Sequence, residues 1–180
     1  MILVLDMCYR AGSLSRYEFV DPVAAALRRA GAEIDVLHYS ELDDPHGYDK
    51  IVLCGTALKD RRCFDDADQL SWIRECKLPM LGISTGAALI CSILGGSVLP
   101  YIHIGMGDVK IIAETPLLGE PRTIPVFHLH AFRLVLPSEL RAIEENCEAF
   151  VGRDRPVYGI LFSPEVRNCW ILERFVKCHL

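Results

Sequence analysis

A chain of 180 residues, 51% of them hydrophobic, can bury one sizeable core but is shorter than two ordinary domains. With a formal net charge of −5 and its 19 Lys and Arg residues scattered, it offers no basic surface for nucleic acid or for an anionic membrane. No apolar run approaches the roughly 18 residues of a membrane span, and Met1-Ile-Leu-Val-Leu-Asp6 is too short and too acidic for a secretion signal, so a soluble, cytoplasmic, single domain over 1–180 is expected.

Ile2 to Leu5 reads as a buried strand, and Pro22 to Ala30 as a helix with Asp21 at the N-cap and Pro22 at the first helical position. Gly31 ends that helix. Strands follow at Glu33 to His38 and Lys50 to Cys54, then a helix over Asp65 to Cys76 and a fourth strand at Met80 to Ile83. Strands apolar throughout and alternating with helices imply a parallel sheet covered on both faces. The second half carries short strand candidates at Val109 to Ala113, Thr123 to Leu129, Phe132 to Leu136, Ala149 to Val151 and Val157 to Phe162, closed by a helix near Cys169 to Lys177. It is expected to extend the same sheet. The fold class is therefore α/β, a mostly parallel central sheet flanked by helices, with a strand-rich C-terminal half.

The cysteines at 8, 54, 63, 76, 91, 147, 169 and 178 fall mostly within these elements, where a thiol serves as a small apolar group. No pair has CxxC spacing, so neither a zinc site nor any other metal or cofactor is expected.

At Gly82-Ile83-Ser84-Thr85-Gly86 a buried strand runs into a tight turn and then a helix through Ala87 to Cys91. Flanking glycines make room for a strained apex residue, Ser84, presented at the C-terminal end of the sheet, where the first N–H groups of the helix can hold an oxyanion. The same five residues also fit a plain turn in which serine caps the helix.

From this turn outward the sequence resembles the class I, or triad, glutamine amidotransferases, including free-standing glutaminase subunits such as that of GMP synthase. Ile51-Val-Leu-Cys-Gly55-Thr56-Ala57 matches the family's oxyanion loop, with Thr56 in place of its second glycine. Gly82-Ile-Ser84-Thr85-Gly86-Ala-Ala88 matches Gly-Ile-Cys-x-Gly-His-Gln, and Leu94-Gly-Gly-Ser-Val98 the segment after it. Leu129-His130-Ala131-Phe132 stands at the family's Ser-His-Gly-Asp, which helps hold glutamine. Tyr158-Gly-Ile-Leu-Phe-Ser163-Pro-Glu165 matches Tyr-Gly-x-Gln-Phe-His-Pro-Glu. The resemblance thus places Ser84, Ser163 and Glu165 at the triad positions, with serine for both nucleophile and base, and Gly55, Thr56, Thr85 and His130 around the substrate.

An alcohol loses its proton only to a positioned base, and Ser163 is none. The resemblance therefore implies a degenerate amidotransferase that lacks glutaminase activity and acts by binding, to a synthetase-type partner or to a small molecule in the remaining pocket. The alternative is a serine hydrolase using Ser84 with His130 as base, which requires a hydrogen bond between them. His128 and His130 alternate with Leu129 on one strand, and His103 stands without context. Glu165 reads equally as a triad remnant or a structural acid, and Asp6, at the end of the first strand, as a turn or cap residue.

Overall fold

The computed structural model describes residues 1–179. In chain order it contains β1 (Ile2–Asp6), α1 (Arg16–Phe19), α2 (Asp21–Arg29), β2 (Ile34–His38), β3 (Lys50–Leu53), α3 (Arg62–Asp65) and a 3-10 helix over Ala67–Arg74. Then come β4 (Met80–Ile83), α4 (Thr85–Ile93), β5 (Ser97–Ile111), β6 (Arg122–Val135), β7 (Leu140–Ala142), β8 (Ala149–Gly152), β9 (Val157–Ile160) and α5 (Cys169–Lys177).

Seven strands form one sheet in the order β2-β1-β3-β4-β9-β8-β7. The first five run parallel, and β8 and β7 add antiparallel to the edge. Alternation along each strand sends Leu3, Leu5, Ile51, Leu53 and Met80 to one face, against α4 and the 3-10 helix through Leu70, Ile73, Ala87 and Ile90. Ile2, Val4, Val52, Leu81 and Ile83 go to the other, against α2 and α5 through Val23, Leu27, Ile171, Leu172 and Phe175. Such two-sided burial is why these strands read as unbroken apolar runs. Among the described residues no helix is long and apolar enough to cross a membrane.

Four expectations change. Only β7 to β9 extend the central sheet, whereas β5 and β6 leave it as a separate two-stranded antiparallel ribbon. Thr123 to Leu129 and Phe132 to Leu136 are parts of one strand of 14 residues, which runs on through His130 and Ala131 across the register shift opposite Pro100 and His103. The segment expected as a helix over Asp65 to Cys76 is instead a single turn followed by a 3-10 helix, tighter than an α-helix, and it buries only Leu70 and Ile73. At α2 the boundary shifts by one residue, with Val20 at the N-cap and Asp21 inside the first turn.

The β4–α4 junction is closed by its glycines. A Cβ on Gly86 would lie 2.2 Å from the Leu53 carbonyl oxygen, and one on Gly82 2.6 Å from the Ala87 nitrogen. Both obstacles are backbone, which cannot swing aside. Gly86→Ala is accordingly expected to lower the urea midpoint by the equivalent of about 2 kcal/mol with an unchanged m-value. A midpoint at or above the parent's would mean that β3 moves away from α4 at little cost.

Candidate functional site

Ser84 is the residue between β4 and α4, and its backbone lies at φ 50°, ψ −108°. Positive φ is costly for a residue with a Cβ, so the surroundings must over-determine it. They do so with hydrogen bonds from Ser84 N–H to the Ile160 carbonyl (2.8 Å) and from Ala88 N–H to the Ser84 carbonyl (3.0 Å). The hydroxyl donates to the Leu129 carbonyl of β6 at 3.2 Å, and the residue is only 4% exposed. Ser84 is thus a strained strand-to-helix apex whose side chain is covered by the ribbon.

The parallel pairing of β4 with β9 sets Ile83 beside Ile160. Ser163 follows three residues later, buried, its N–H donating to the Phe127 carbonyl at 2.9 Å. Burial pushes the Glu165 carboxyl up to about 7, an effect its own backbone and the Ser163 side chain only partly offset. One carboxylate oxygen of Glu165 is buried with no hydrogen-bond partner. The fold therefore brings Ser84, Ser163 and Glu165 to the same end of two adjacent strands.

The expected binding residues are dispersed in role. Gly55 lies where a Cβ would come 3.3 Å from Ser84 Cβ, leaving no gap between them. Thr56 is buried and donates its hydroxyl to Asp60 at 2.6 Å, and Thr85 is buried as the first residue of α4. Phe132 fills the core, its ring 5.7 Å from that of Phe64 and 4.4 Å beneath the Arg61 guanidinium. Asp6 takes the turn role, accepting from Cys8 N–H at 2.9 Å.

His130 corrects the hydrolase reading. Among the described residues no hydrogen bond joins it to Ser84. Its Nδ1 takes a 3.5 Å contact from Phe132 N–H, and its Nε2 points to Glu148 at 3.8 Å. With the imidazole turned away, Ser84 has no base there. Nor does a cysteine substitute, since burial raises the thiol pKa of Cys8, Cys54, Cys63 and Cys91, to about 12 at Cys63 and about 11 at Cys91. A nucleophilic thiol needs the opposite shift.

One group the sequence reading missed is the set His103, His128, His130 and Glu148, whose ligand atoms lie within 4.8 Å of one another. Two of its members, His128 and His130, were visible as residues sharing one face of a strand; the others join through pairing distant in sequence.

A parallel sheet extended by an antiparallel edge, with a strained apex after its fourth strand, defines a flavodoxin-like α/β protein. Residues 16–169 match the family model of class I glutamine amidotransferases. The chain belongs to that family. It is 30% identical over 155 residues to a separate GMP synthase (glutamine-hydrolyzing) subunit of Thermoplasma acidophilum, a match covering 79% of this chain and 76% of that one. It is also 30% identical over 171 residues to the GMP synthase of Phenylobacterium zucineum, covering 85% of this chain but only 33% of the relative. A crystal structure of a GMP synthase subunit from Thermoplasma acidophilum superposes with a TM-score of 0.80 at 25% identity, over 97% of this chain and 91% of that one. A glutamine amidotransferase from Thermotoga maritima superposes with a TM-score of 0.70 at 21% identity, over 94% and 80%.

The position of Glu165 makes stability depend on pH. Held above the ordinary glutamate value of 4.5, its neutral form is favoured by folding, so its contribution is complete below about 4.5 and is lost as pH rises through about 7. Glu165→Gln removes that titration. Its melting temperature relative to the parent is expected to rise between about pH 4.5 and 8. A difference that stays flat across this window would mean that the carboxyl is not held in its neutral form.

Proposed function

We propose that this chain is a degenerate class I glutamine amidotransferase that retains the nucleophile-elbow geometry without its chemistry and works as a binding or regulatory protein. The observation that carries this reading is the pair Ser84 and Ser163 at the elbow and at the end of the neighbouring strand, with no imidazole hydrogen-bonded to either hydroxyl among the described residues. In a thiol–imidazole pair the imidazole takes the thiol proton, leaves a thiolate for attack, and returns a proton to the departing amine. Ser84 instead spends its proton on a backbone carbonyl, and Glu165, with no histidine to orient, is pushed toward its neutral form. Phe132 occupies core volume where the family's glutamine-holding segment ends with an acid.

The relatives support a protein partner. In the Phenylobacterium protein the matching stretch is about a third of a GMP synthase, and in Thermoplasma it is a subunit of its own. A synthetase-type subunit is the occupant we assign to the exposed apolar strip Leu99, Ile102, Ile104 and Met106 on β5. That assignment predicts a complex with the synthetase subunit of the same source that is lost on charging Ile102 and Ile104.

Purified protein is expected to release no ammonia from glutamine above the level of its Ser84→Ala variant. Activity that disappears in that variant would overturn the proposal. Ser84→Cys alone is expected to stay inactive, and Ser84→Cys with Ser163→His to recover only weak hydrolysis, because Phe132 still fills its place. A fast single variant would reveal a base that the geometry does not supply.

A further inference from the structure

The ribbon and the central sheet meet at a cluster of four side chains, His103, His128, His130 and Glu148, of which only His130 aligns with the family's glutamine-holding segment. His103 of β5 pairs across the ribbon with His130 of β6, and Gly105 with His128, so that the three imidazoles lie on one face. All three face the carboxylate of Glu148, which immediately precedes β8. His128 Nδ1 is 3.2 Å from it, His103 Nδ1 3.5 Å and His130 Nε2 3.8 Å. Despite these approaches, His103 Nδ1, His128 Nδ1, His130 Nε2 and Glu148 Oε2 are all buried without a hydrogen-bond partner. A buried polar atom left without a partner destabilises the fold, and here four of them point at one volume.

Protonating the cluster does not solve the problem. The His103 and His128 rings stack at 3.6 Å between centroids, and a second imidazolium in that stack would repel the first. Neutral imidazole is the form that ligates a metal, through the ring nitrogen that carries no proton. A single cation coordinated by the four atoms satisfies all of them at once.

We propose that His103, His128, His130 and Glu148 bind one divalent transition-metal ion, with zinc the best match to their three-nitrogen, one-oxygen donor set. Imidazole with a carboxylate suits zinc and its neighbours in the first transition row, whereas calcium and magnesium take oxygen. Tetrahedral coordination puts ligand atoms roughly 3.4 Å apart; to reach it the present spread of up to 4.8 Å contracts and the stacked His103 and His128 rings turn apart so that both lone pairs meet one ion. Binding through His130 Nε2 moves the ring proton to Nδ1 and gives up the 3.5 Å contact from Phe132 N–H, one weak interaction against four orphaned atoms.

Two further features single out this place. Glu148 is held in advance of any ligand, because the buried Glu144 carboxylate accepts from both Asn146 N–H (2.8 Å) and Glu148 N–H (2.9 Å). Cys147 between them sits at φ 61°, one of only two non-glycine residues with positive φ among those described, the other being Ser84. Strain of this kind persists where a side chain must be aimed. Access comes from a cavity of about 260 Å³ lined by Tyr101, Phe132, Arg133, Asn146, Glu148 and Leu161. The Tyr101 ring covers its histidine side, 6.0 Å from His103 and 6.5 Å from His130.

Four protein ligands make a closed site of the structural kind. Its effect is mechanical: the ion joins both strands of the ribbon to the turn before β8, one residue from the Leu129 carbonyl that receives the Ser84 hydroxyl. This proposal stands whether or not Ser84 has a catalytic role.

The test uses tag-free, full-length protein stripped by a chelator, then titrated with zinc and, separately, with cobalt(II) as a spectroscopic probe. About one equivalent of zinc per chain and the intense visible absorption of four-coordinate cobalt are expected. Removing a ligand should weaken binding by ~100-fold or more, since even groups that only orient ligands are worth 10–100-fold. His103→Ala, at the more exposed end of the cluster, and Glu148→Gln should show this loss; His46→Ala, on an exposed loop residue outside the cluster, should bind as the parent does. Hydrogen exchange of β5 and β6 should slow on adding zinc to the parent and not to His103→Ala. The proposal is overturned if stripped parent takes up less than about 0.1 equivalent of zinc at micromolar concentration, or if His46→Ala loses as much affinity as His103→Ala. Because the parent alone can give the first of these results, variants that fail to fold leave the test intact.

Discussion

At Gly86 the first turn of α4 passes so close to the carbonyl of Leu53 that no side chain fits between helix and strand. That approach fixes the direction in which α4 leaves the sheet, and with it the exit angle of β4 and the positive φ of Ser84. The hydrogen bond from Ser84 N–H to Ile160 then ties the junction to β9, the strand whose continuation carries Ser163 and Glu165. Everything assembled at this end of the sheet follows from two segments of backbone in contact. Such a frame is indifferent to whether the apex atom is sulfur or oxygen, because core volume and backbone pairing do not report on reactivity.

A frame of this kind keeps its shape whichever residue stands at the apex. Holding a residue at positive φ costs of order 1–3 kcal/mol, which packing on both faces of the sheet offsets. The hydroxyl of Ser84 has meanwhile found a carbonyl of the ribbon, and Phe132 has joined Phe64 in the core beneath Arg61.

Much of this was legible in the sequence, and the boundary is physical. Strands buried on both faces announce themselves as apolar runs, as at Leu3 to Leu5 and Ile51 to Leu53, and the turn at Gly82 to Gly86 carries its own steric signature. The ribbon was harder. Its strands carry prolines, glycines and exposed Ile102, Ile104 and Met106 in a mixed pattern, so Ser97 to Val109 gave no clean period and the break near His130 looked like a boundary. The 3-10 helix at Ala67–Arg74 has an apolar spacing that fits an α-helix just as well. The histidine cluster was hidden for another reason: two members sit two residues apart on β6, but His103 and Glu148 arrive through cross-strand register and a turn, and neither CxxC spacing nor helical period links them.

The ribbon has one more consequence, concerning self-association. Its strands pair with each other over most of their length and with no strand of the seven-stranded sheet; the outer edge of β6 is taken up by the Ser163 N–H and the Ser84 hydroxyl, whereas the edge of β5 before Lys110 has no strand beside it among the described residues. Free edges invite neighbouring molecules to add strands, and on β5 that hazard coincides with exposed isoleucines. Pro100 on β5 and Pro125 on β6 each lack an N–H to offer an added strand, and the register shift between Pro100 and His103 interrupts the regular pairing beside exposed Ile102. The same proline and irregularity that obscured the ribbon in the sequence thereby keep it from templating an aggregate.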